Sequence, residues 1–86
     1  MPRELPAIRG TQLIRLLKKD GWQERGKAQA NHGAALWKQF EDRKRVTIVR
    51  NTRKVIPIGT LSAILGPKQT NLGRDGLLKL IDTHGL

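Results

Sequence analysis

The stretch ALWKQFEDRKRVTIVR, residues 35–50, decides the fold. Its first seven residues predict a β-strand over residues 35–41, because apolar and polar side chains alternate along them. Leu36 and Phe40 fall on one face of this strand. Trp37 and Gln39 fall on the other face.

The second half of the stretch predicts the partner of that strand. Residues 42–44 are polar and favour a tight turn. Residues 45–50 are rich in β-branched side chains and predict a strand with Val46 and Ile48 on one side. A weaker pattern over residues 22–27 predicts a short strand ahead of this hairpin. The three strands together form an antiparallel meander.

One helix is predicted before the sheet, over residues 10–22. Its apolar side chains recur at helical spacing and form one wide face, made of Leu13, Ile14, Leu16 and Leu17. Thr11 is expected to cap the N-terminus, because its hydroxyl can accept a hydrogen bond from a free amide of the first turn. Gly21 is expected to end the helix in the left-handed conformation. Residues 1–9 hold two prolines and predict an extended lead-in.

Two short helices are predicted after the sheet. The helix over residues 59–66 has an apolar stripe of Leu61, Ile64 and Leu65. The helix over residues 75–86 has an apolar stripe of Leu77, Leu78 and Ile81, and Asp75 is in a position to cap it. Residues 67–86 therefore form a helical C-terminal appendage, which either packs on the domain or contacts a partner.

The element order predicts an α+β fold with a single domain over residues 1–86. A three-stranded sheet has one apolar face to bury, and helices on that face make a two-layer sandwich. The order α-β-β-β-α, with a short C-terminal helix, is the layout of the double-stranded RNA-binding fold. The opposite face of the sheet stays open and is expected to carry much of the positive charge.

Charge is the strongest compositional signal. The chain has 17 Lys and Arg against 7 Asp and Glu, a net charge of +10. A small domain this basic attracts a polyanion, most commonly nucleic acid. The chain has two Trp, one Phe and no Tyr. It therefore lacks the rows of aromatic side chains on which many RNA-binding modules stack bases.

Other classes of function lack their usual residues. The chain has no cysteine and two histidines, so we expect neither a disulfide framework nor a metal site, and no cofactor. No apolar run approaches the roughly 20 residues that span a bilayer. The first ten residues lack the apolar core of a signal peptide. We therefore expect a cytoplasmic protein that does not enter a membrane.

The candidate nucleic-acid contacts are basic side chains around the turn and the loop that follows the last strand. Lys and Arg in such places bind phosphates without reading sequence. This cluster comprises Arg43, Lys44, Arg45, Arg50, Arg53 and Lys54. The alternative is a solvated face around a turn. Solvation alone is also the simpler explanation for Arg3, Arg9, Arg15, Lys18 and Lys19.

His32 is the candidate for proton transfer. Imidazole has an unperturbed pKa of about 6.5 and can give or take a proton at cellular pH. Arg25, Lys27 and Lys38 flank it in sequence and could supply positive charge to a phosphate. From spacing alone, a polar loop residue without a role is the simpler explanation of His32, because this lone histidine has no carboxylate partner in the pattern. His84 is the other histidine and lies close to the C-terminus, where frayed ends are common.

Two blocks of this sequence resemble the HicA-type toxins, the RNA-cleaving partners in HicAB toxin–antitoxin pairs. LPAIRGTQLIRLLKKDGW, residues 5–22, is similar to the family's opening. RVTIVRNTRKVIPIGTLSAIL, residues 45–65, is similar to its strand, basic loop and Ile-Pro-x-Gly-Thr-Leu helix. Between these blocks the family has Gly-Ser-His, where this chain has Ala30, Asn31 and His32. Ile58 and Asn51 stand where the family often has a lysine and a second histidine.

The resemblance implies a metal-independent endoribonuclease that cleaves mRNA, with His32 as the general acid/base. It marks Arg25, Lys27, Lys38, Arg45, Arg50, Arg53 and Lys54 as candidate RNA contacts. A single histidine implies slow turnover, because one proton transfer must involve a poorer group or water. The resemblance also implies a HicB-type antitoxin whose acidic surface covers the active site.

Two other functions remain open at this point. The chain could be a non-catalytic RNA-binding domain that reads the shape of duplex RNA. It could also be a DNA-binding regulator, since GTLSAILGPKQTNLGRDGLLKLI, residues 59–81, has the outline of a helix-turn-helix. The second helix of that segment is rich in leucine and carries little basic charge, which weighs against DNA.

Overall fold

The computed structural model describes residues 5–24 and 33–86. It contains three helices and a three-stranded antiparallel sheet, which confirms the predicted α+β fold. The helices are α1 (Gly10–Lys19), α2 (Ile58–Leu65) and α3 (Gly73–His84). The strands are β1 (Gln23–Glu24), β2 (Ala34–Gln39) and β3 (Lys44–Val49). Residues 25–27 of the first predicted strand lie outside the described residues.

The sheet has the order β1-β2-β3, with Trp37 of β2 paired with Gln23 on one side and Val46 on the other. The hairpin turn begins one residue earlier than predicted, at residue 41 instead of residue 42. The amide of Phe40 donates to the carbonyl oxygen of Arg43 at 2.8 Å, so Glu41 and Asp42 form the bend. The residue predicted at the end of the turn, Lys44, is the first residue of β3.

The two faces of the sheet have different environments. Leu36, Thr47 and Val49 are buried on the face that the helices cover. Val46 and Ile48 share the opposite face, where 39% and 57% of their surfaces are exposed. The prediction that these two residues share a side is therefore confirmed, and that side is the open one.

Helix α1 packs its predicted apolar face into the core and ends in a Schellman motif. The amide of Gly21 donates to the carbonyl oxygen of Lys18, and the amide of Trp22 donates to that of Leu17. Gly21 has a φ of 100°, the left-handed conformation predicted for it. Trp22 is 2% exposed and packs beside Leu17 in the core.

The predicted threonine cap of α1 is wrong, because the helix begins one residue before Thr11. Its first amides bond to backbone oxygens of the loop after β3. Thr11 donates to the carbonyl oxygen of Thr52 at 3.1 Å, and Gly10 donates to that of Lys54 at 3.4 Å. Asp75 is likewise no cap, since α3 begins at Gly73 and Asp75 falls in its first turn.

The C-terminal segment packs on the domain, which is the first of the two alternatives that the sequence left open. Leu77 is fully buried, and α3 packs against both α1 and α2. The loop between α2 and α3 is also fixed to the sheet, because the Thr47 hydroxyl donates to Oε1 of Gln69 at 2.5 Å. In the part of the chain that the structure describes, no helix is long and apolar enough to cross a membrane.

Candidate nucleic-acid interface

Three of the predicted site residues lie outside the described residues. These are His32, the candidate catalytic residue, and the flanking cations Arg25 and Lys27. The remaining predicted contacts fall into two groups, which the fold separates. Arg50, Arg53 and Lys54 are exposed, whereas Lys38 and Arg45 are only partly exposed.

A cavity of about 500 Å³ opens where α1 faces the start of β2 and the loop after β3. Ala34, the first residue of β2, forms part of its wall, and His32 precedes Ala34 by two residues in the sequence. The other lining residues come from α1, β1 and the loop, and they are Thr11, Ile14, Arg15, Lys18, Lys19, Glu24 and Asn51. We call this feature the α1 cavity.

The wall of the α1 cavity is net positive, with three cations against the single carboxylate of Glu24. Lys18 pairs with Glu24 at 2.8 Å. Arg15 donates to the carbonyl oxygen of Gly85 at 3.0 Å. These cations look like the solvated side of a helix in the sequence. Helical periodicity shows that they share a side but cannot show that a strand and a loop face them.

Gly33 fixes the start of β2 against the end of β3. Its φ is +86°, a conformation that favours glycine. A β-carbon on Gly33 would lie 2.5 Å from the carbonyl oxygen of Val49 and 2.8 Å from the α-carbon of Arg50. Only glycine therefore fits at this position, which directly follows His32 in the sequence.

The basic loop, residues 50–54, presents Arg50, Arg53 and Lys54 to solvent. Its backbone is held by the bonds to the start of α1 and by local bonds within the loop. The amide of Thr52 donates to the carbonyl oxygen of Arg50 at 3.0 Å, and the amide of Lys54 donates to the hydroxyl of Thr52 at 3.2 Å. Asn51 of the same loop lines the α1 cavity. The basic loop and the cations of α1 therefore border one continuous surface.

Lys38 and Arg45 make structural contacts instead. Lys38 donates to the carbonyl oxygen of Asp20 at 2.7 Å and so bonds the C-terminal end of α1, where a cation is favourable. Arg45 donates to the carbonyl oxygen of Pro67 at 2.7 Å, in the loop between α2 and α3. Neither residue lines the α1 cavity. Their role as RNA contacts stays a prediction.

Trp37 lies half-buried on the open face of the sheet. Nζ of Lys44 is 4.8 Å from the centre of its indole ring, within the range of a cation–π contact. Trp37 and Lys44 are therefore on the other side of the sheet from the helices. They do not belong to the α1 cavity.

Among residues 5–24 and 33–86, no group of three or more His, Cys, Asp or Glu is placed to hold a metal ion. No family model matches the chain, and neither a curated protein nor a solved structure matches it.

Proposed function

We propose that this chain is a HicA-like toxin that cleaves mRNA, with His32 as the general acid/base. The observation that carries the proposal is the net-positive α1 cavity, whose wall includes Ala34, two residues after His32. The α+β fold and the two sequence blocks that resemble HicA toxins support it. The proposed site of action is the cytoplasm, where mRNA is translated.

RNA cleavage of this kind needs few protein groups, because RNA carries its own nucleophile. The 2′-hydroxyl loses its proton and its oxygen attacks the adjacent phosphorus. The bond to the 5′-oxygen then breaks, and that oxygen takes up a proton. The products are a 2′,3′-cyclic phosphate and a 5′-hydroxyl end. An imidazole can serve one of these proton transfers, and water can serve the other.

The cations of the α1 cavity supply the electrostatic part. Negative charge builds up on the non-bridging oxygens during the reaction, and fixed positive groups stabilise it. Lys19 is exposed at the cavity, and no carboxylate among residues 5–24 and 33–86 forms a salt bridge with it. Lys19 is therefore the α1 cation that we expect to contact phosphate most directly.

A HicB-type antitoxin is the proposed protein partner. A chain with a net charge of +10 is attracted to an acidic surface, which speeds association and selects the partner. Covering the α1 cavity would exclude RNA from it. This partner follows from the family resemblance.

The second candidate is an RNA-binding domain without catalysis. Its support is the Ala30-Asn31-His32 sequence, which differs from the Gly-Ser-His of HicA toxins at two of three positions. Expression separates the two candidates. A ribonuclease arrests growth and degrades mRNA, whereas a binding domain leaves RNA intact.

The deciding experiment incubates purified protein with a single-stranded RNA oligonucleotide and with the same sequence carrying 2′-deoxyriboses throughout. Wild type is expected to cleave the first and not the second. His32→Ala is expected to remove cleavage while its circular dichroism and thermal transition stay unchanged. His84→Ala is the matched histidine control and is expected to retain cleavage. Equal activity of wild type and His32→Ala would remove His32 from the mechanism.

A further inference from the structure

The outer edge of β3 has free backbone groups. In an antiparallel ladder, residues alternate between those that bond to the neighbouring strand and those that point away from it. Phe40 bonds to Arg43, so Arg45, Thr47 and Val49 are the residues of β3 that bond to β2. The amides and carbonyls of Lys44, Val46 and Ile48 point outward, and no backbone group among the described residues bonds to them.

The side chains at this edge are also exposed. Val46 and Ile48 lie on the open face with 39% and 57% of their surfaces in solvent. A groove of about 550 Å³ continues from Ile48 toward α2, and its lining includes Val55 and the buried Ile64. Val55 is 51% exposed. Aliphatic side chains and an unpaired edge therefore occur together, a combination that proteins normally protect from contact.

Positive charge surrounds this aliphatic surface. Lys44 lies at the start of the edge, and Arg50 and Lys54 line the groove beyond its end. A second copy of the chain would bring a further net charge of +10 against these groups, which disfavours pairing between two β3 strands. An acidic segment has the complementary charge.

We propose that the outer edge of β3 binds an extended acidic segment of a partner protein as a fourth strand, which continues into the groove beside Ile48. Backbone hydrogen bonds to Val46 and Ile48 supply the pairing, and aliphatic side chains of the segment contact the same two residues. Its acidic side chains lie on the same face as the aliphatic ones but toward the two ends of the segment, where they face Lys44 at one end and Arg50 and Lys54 at the other. A protein segment fits this surface better than RNA, because bases stack on aromatic rings and this surface is aliphatic. The proposal holds whether or not the chain cleaves RNA.

The test uses a ten-residue peptide that carries valine at the central positions of one face, glutamate at the end positions of that same face, and threonine at the positions between them. The peptide is added to ¹⁵N-labelled full-length protein and followed by NMR. The expected result is saturable shifts of the Lys44, Val46 and Ile48 amides, with cross-strand NOEs to the peptide. A second peptide is N-methylated at every other residue on one edge. It is expected to bind about tenfold more weakly, since it loses at least two backbone hydrogen bonds.

Two protein variants test charge. Lys44→Glu is expected to weaken peptide binding several-fold, and Lys79→Glu on α3 makes the same change in net charge away from the edge. Val46→Pro removes one outward amide donor of β3 without touching the ladder to β2, and it is expected to weaken peptide binding. The N-methylated peptide tests the complementary bonds, from the peptide amides to the β3 carbonyl oxygens, on unaltered protein. Absence of binding, equal binding of the two peptides, shifts confined to the α1 cavity, or binding of an RNA oligonucleotide at the edge in place of the peptide would each overturn the proposal.

Discussion

The α-carbon of Gly10 packs against the carbonyl oxygen of Arg50 so closely that no β-carbon fits between them. This contact joins the first turn of α1 to the basic loop. It sets the position of the loop together with the hydrogen bonds from Gly10 and Thr11. The positions of the loop cations therefore depend on Gly10, a residue that carries no charge and lies forty positions away in the sequence.

Gly10→Ala is expected to destabilise the protein by about 1–3 kcal/mol, because the added methyl group must displace backbone. The effect opposes the helix propensity of alanine, which exceeds that of glycine by about 1 kcal/mol. Gly59→Ala in α2 is the matched control, since a β-carbon there meets nothing within 4 Å. Urea unfolding measures both. Equal stability of the two variants would show that the loop yields without cost.

Gly33→Ala tests the fixed start of β2. The substitution adds backbone strain at a positive φ and a clash with Val49, and we expect it to lower stability by several kcal/mol. Gly85→Ala shares the positive φ of +77° but meets no neighbour within 4 Å, so it isolates the strain from the clash. Thermal unfolding should separate the two by at least about 1 kcal/mol. In a ribonuclease, Gly33→Ala is also expected to impair cleavage with His32 intact.

Lys38→Ala tests whether Lys38 stabilises the folded protein. Loss of its bond to the carbonyl oxygen of Asp20 is expected to cost about 1–2 kcal/mol, less than a fully buried charged bond because Lys38 is partly exposed. Lys79→Ala removes an exposed lysine from α3 and is expected to change stability by less than about 0.5 kcal/mol. Chemical denaturation gives both values. If Lys38 contributes only to RNA binding, Lys38→Ala will have the same unfolding curve as wild type.

Thr47 and Gln69 allow a double-mutant cycle. Thr47→Val keeps the shape of the buried side chain but leaves Oε1 of Gln69 without its donor, which is expected to cost about 1–2 kcal/mol. Adding Gln69→Leu removes the orphaned acceptor and should recover part of that loss. If the double variant shows the plain sum of the single effects, the hydrogen bond does not join the loop to the sheet in solution.

Lys19→Ala tests the α1 cavity as a phosphate-binding surface. We expect weaker binding of any RNA sequence and a slope of binding against salt that falls by about one. Lys68→Ala, an exposed lysine between α2 and α3, makes the same charge change away from the cavity. Filter binding at several salt concentrations measures both variants. Identical slopes would place the RNA elsewhere.

Local patterns predicted the elements of this fold well. The apolar spacing of α1 and the β-branched run of β3 are both short-range signals, and both elements are present at the predicted places. The helix caps were harder to predict. Thr11 is a favoured N-cap residue, but the amides of the first turn bond to a loop forty residues further on, and no local pattern reports such a partner.

The functional surface was harder to predict than the fold. β3 has β-branched side chains on both faces, so its pattern alone cannot choose which face is buried. Lys38 and Arg45 look like surface cations in the sequence, and their partners, Asp20 and Pro67, come from distant segments. Lys19 is the opposite case. It looks like a solvated helix residue in the sequence, and only tertiary packing brings it to the same cavity as Asn51.

The bonds between the basic loop and α1 also decide which kind of anion recognition this surface can use. Free amides at the start of a helix are a common binding site for phosphate. Here Gly10 and Thr11 already donate to carbonyl oxygens of the protein itself. A phosphate at this surface must therefore be held mainly by lysine and arginine side chains. Long, flexible cations adapt to many backbone shapes, so affinity here is expected to depend little on the exact geometry of the bound strand.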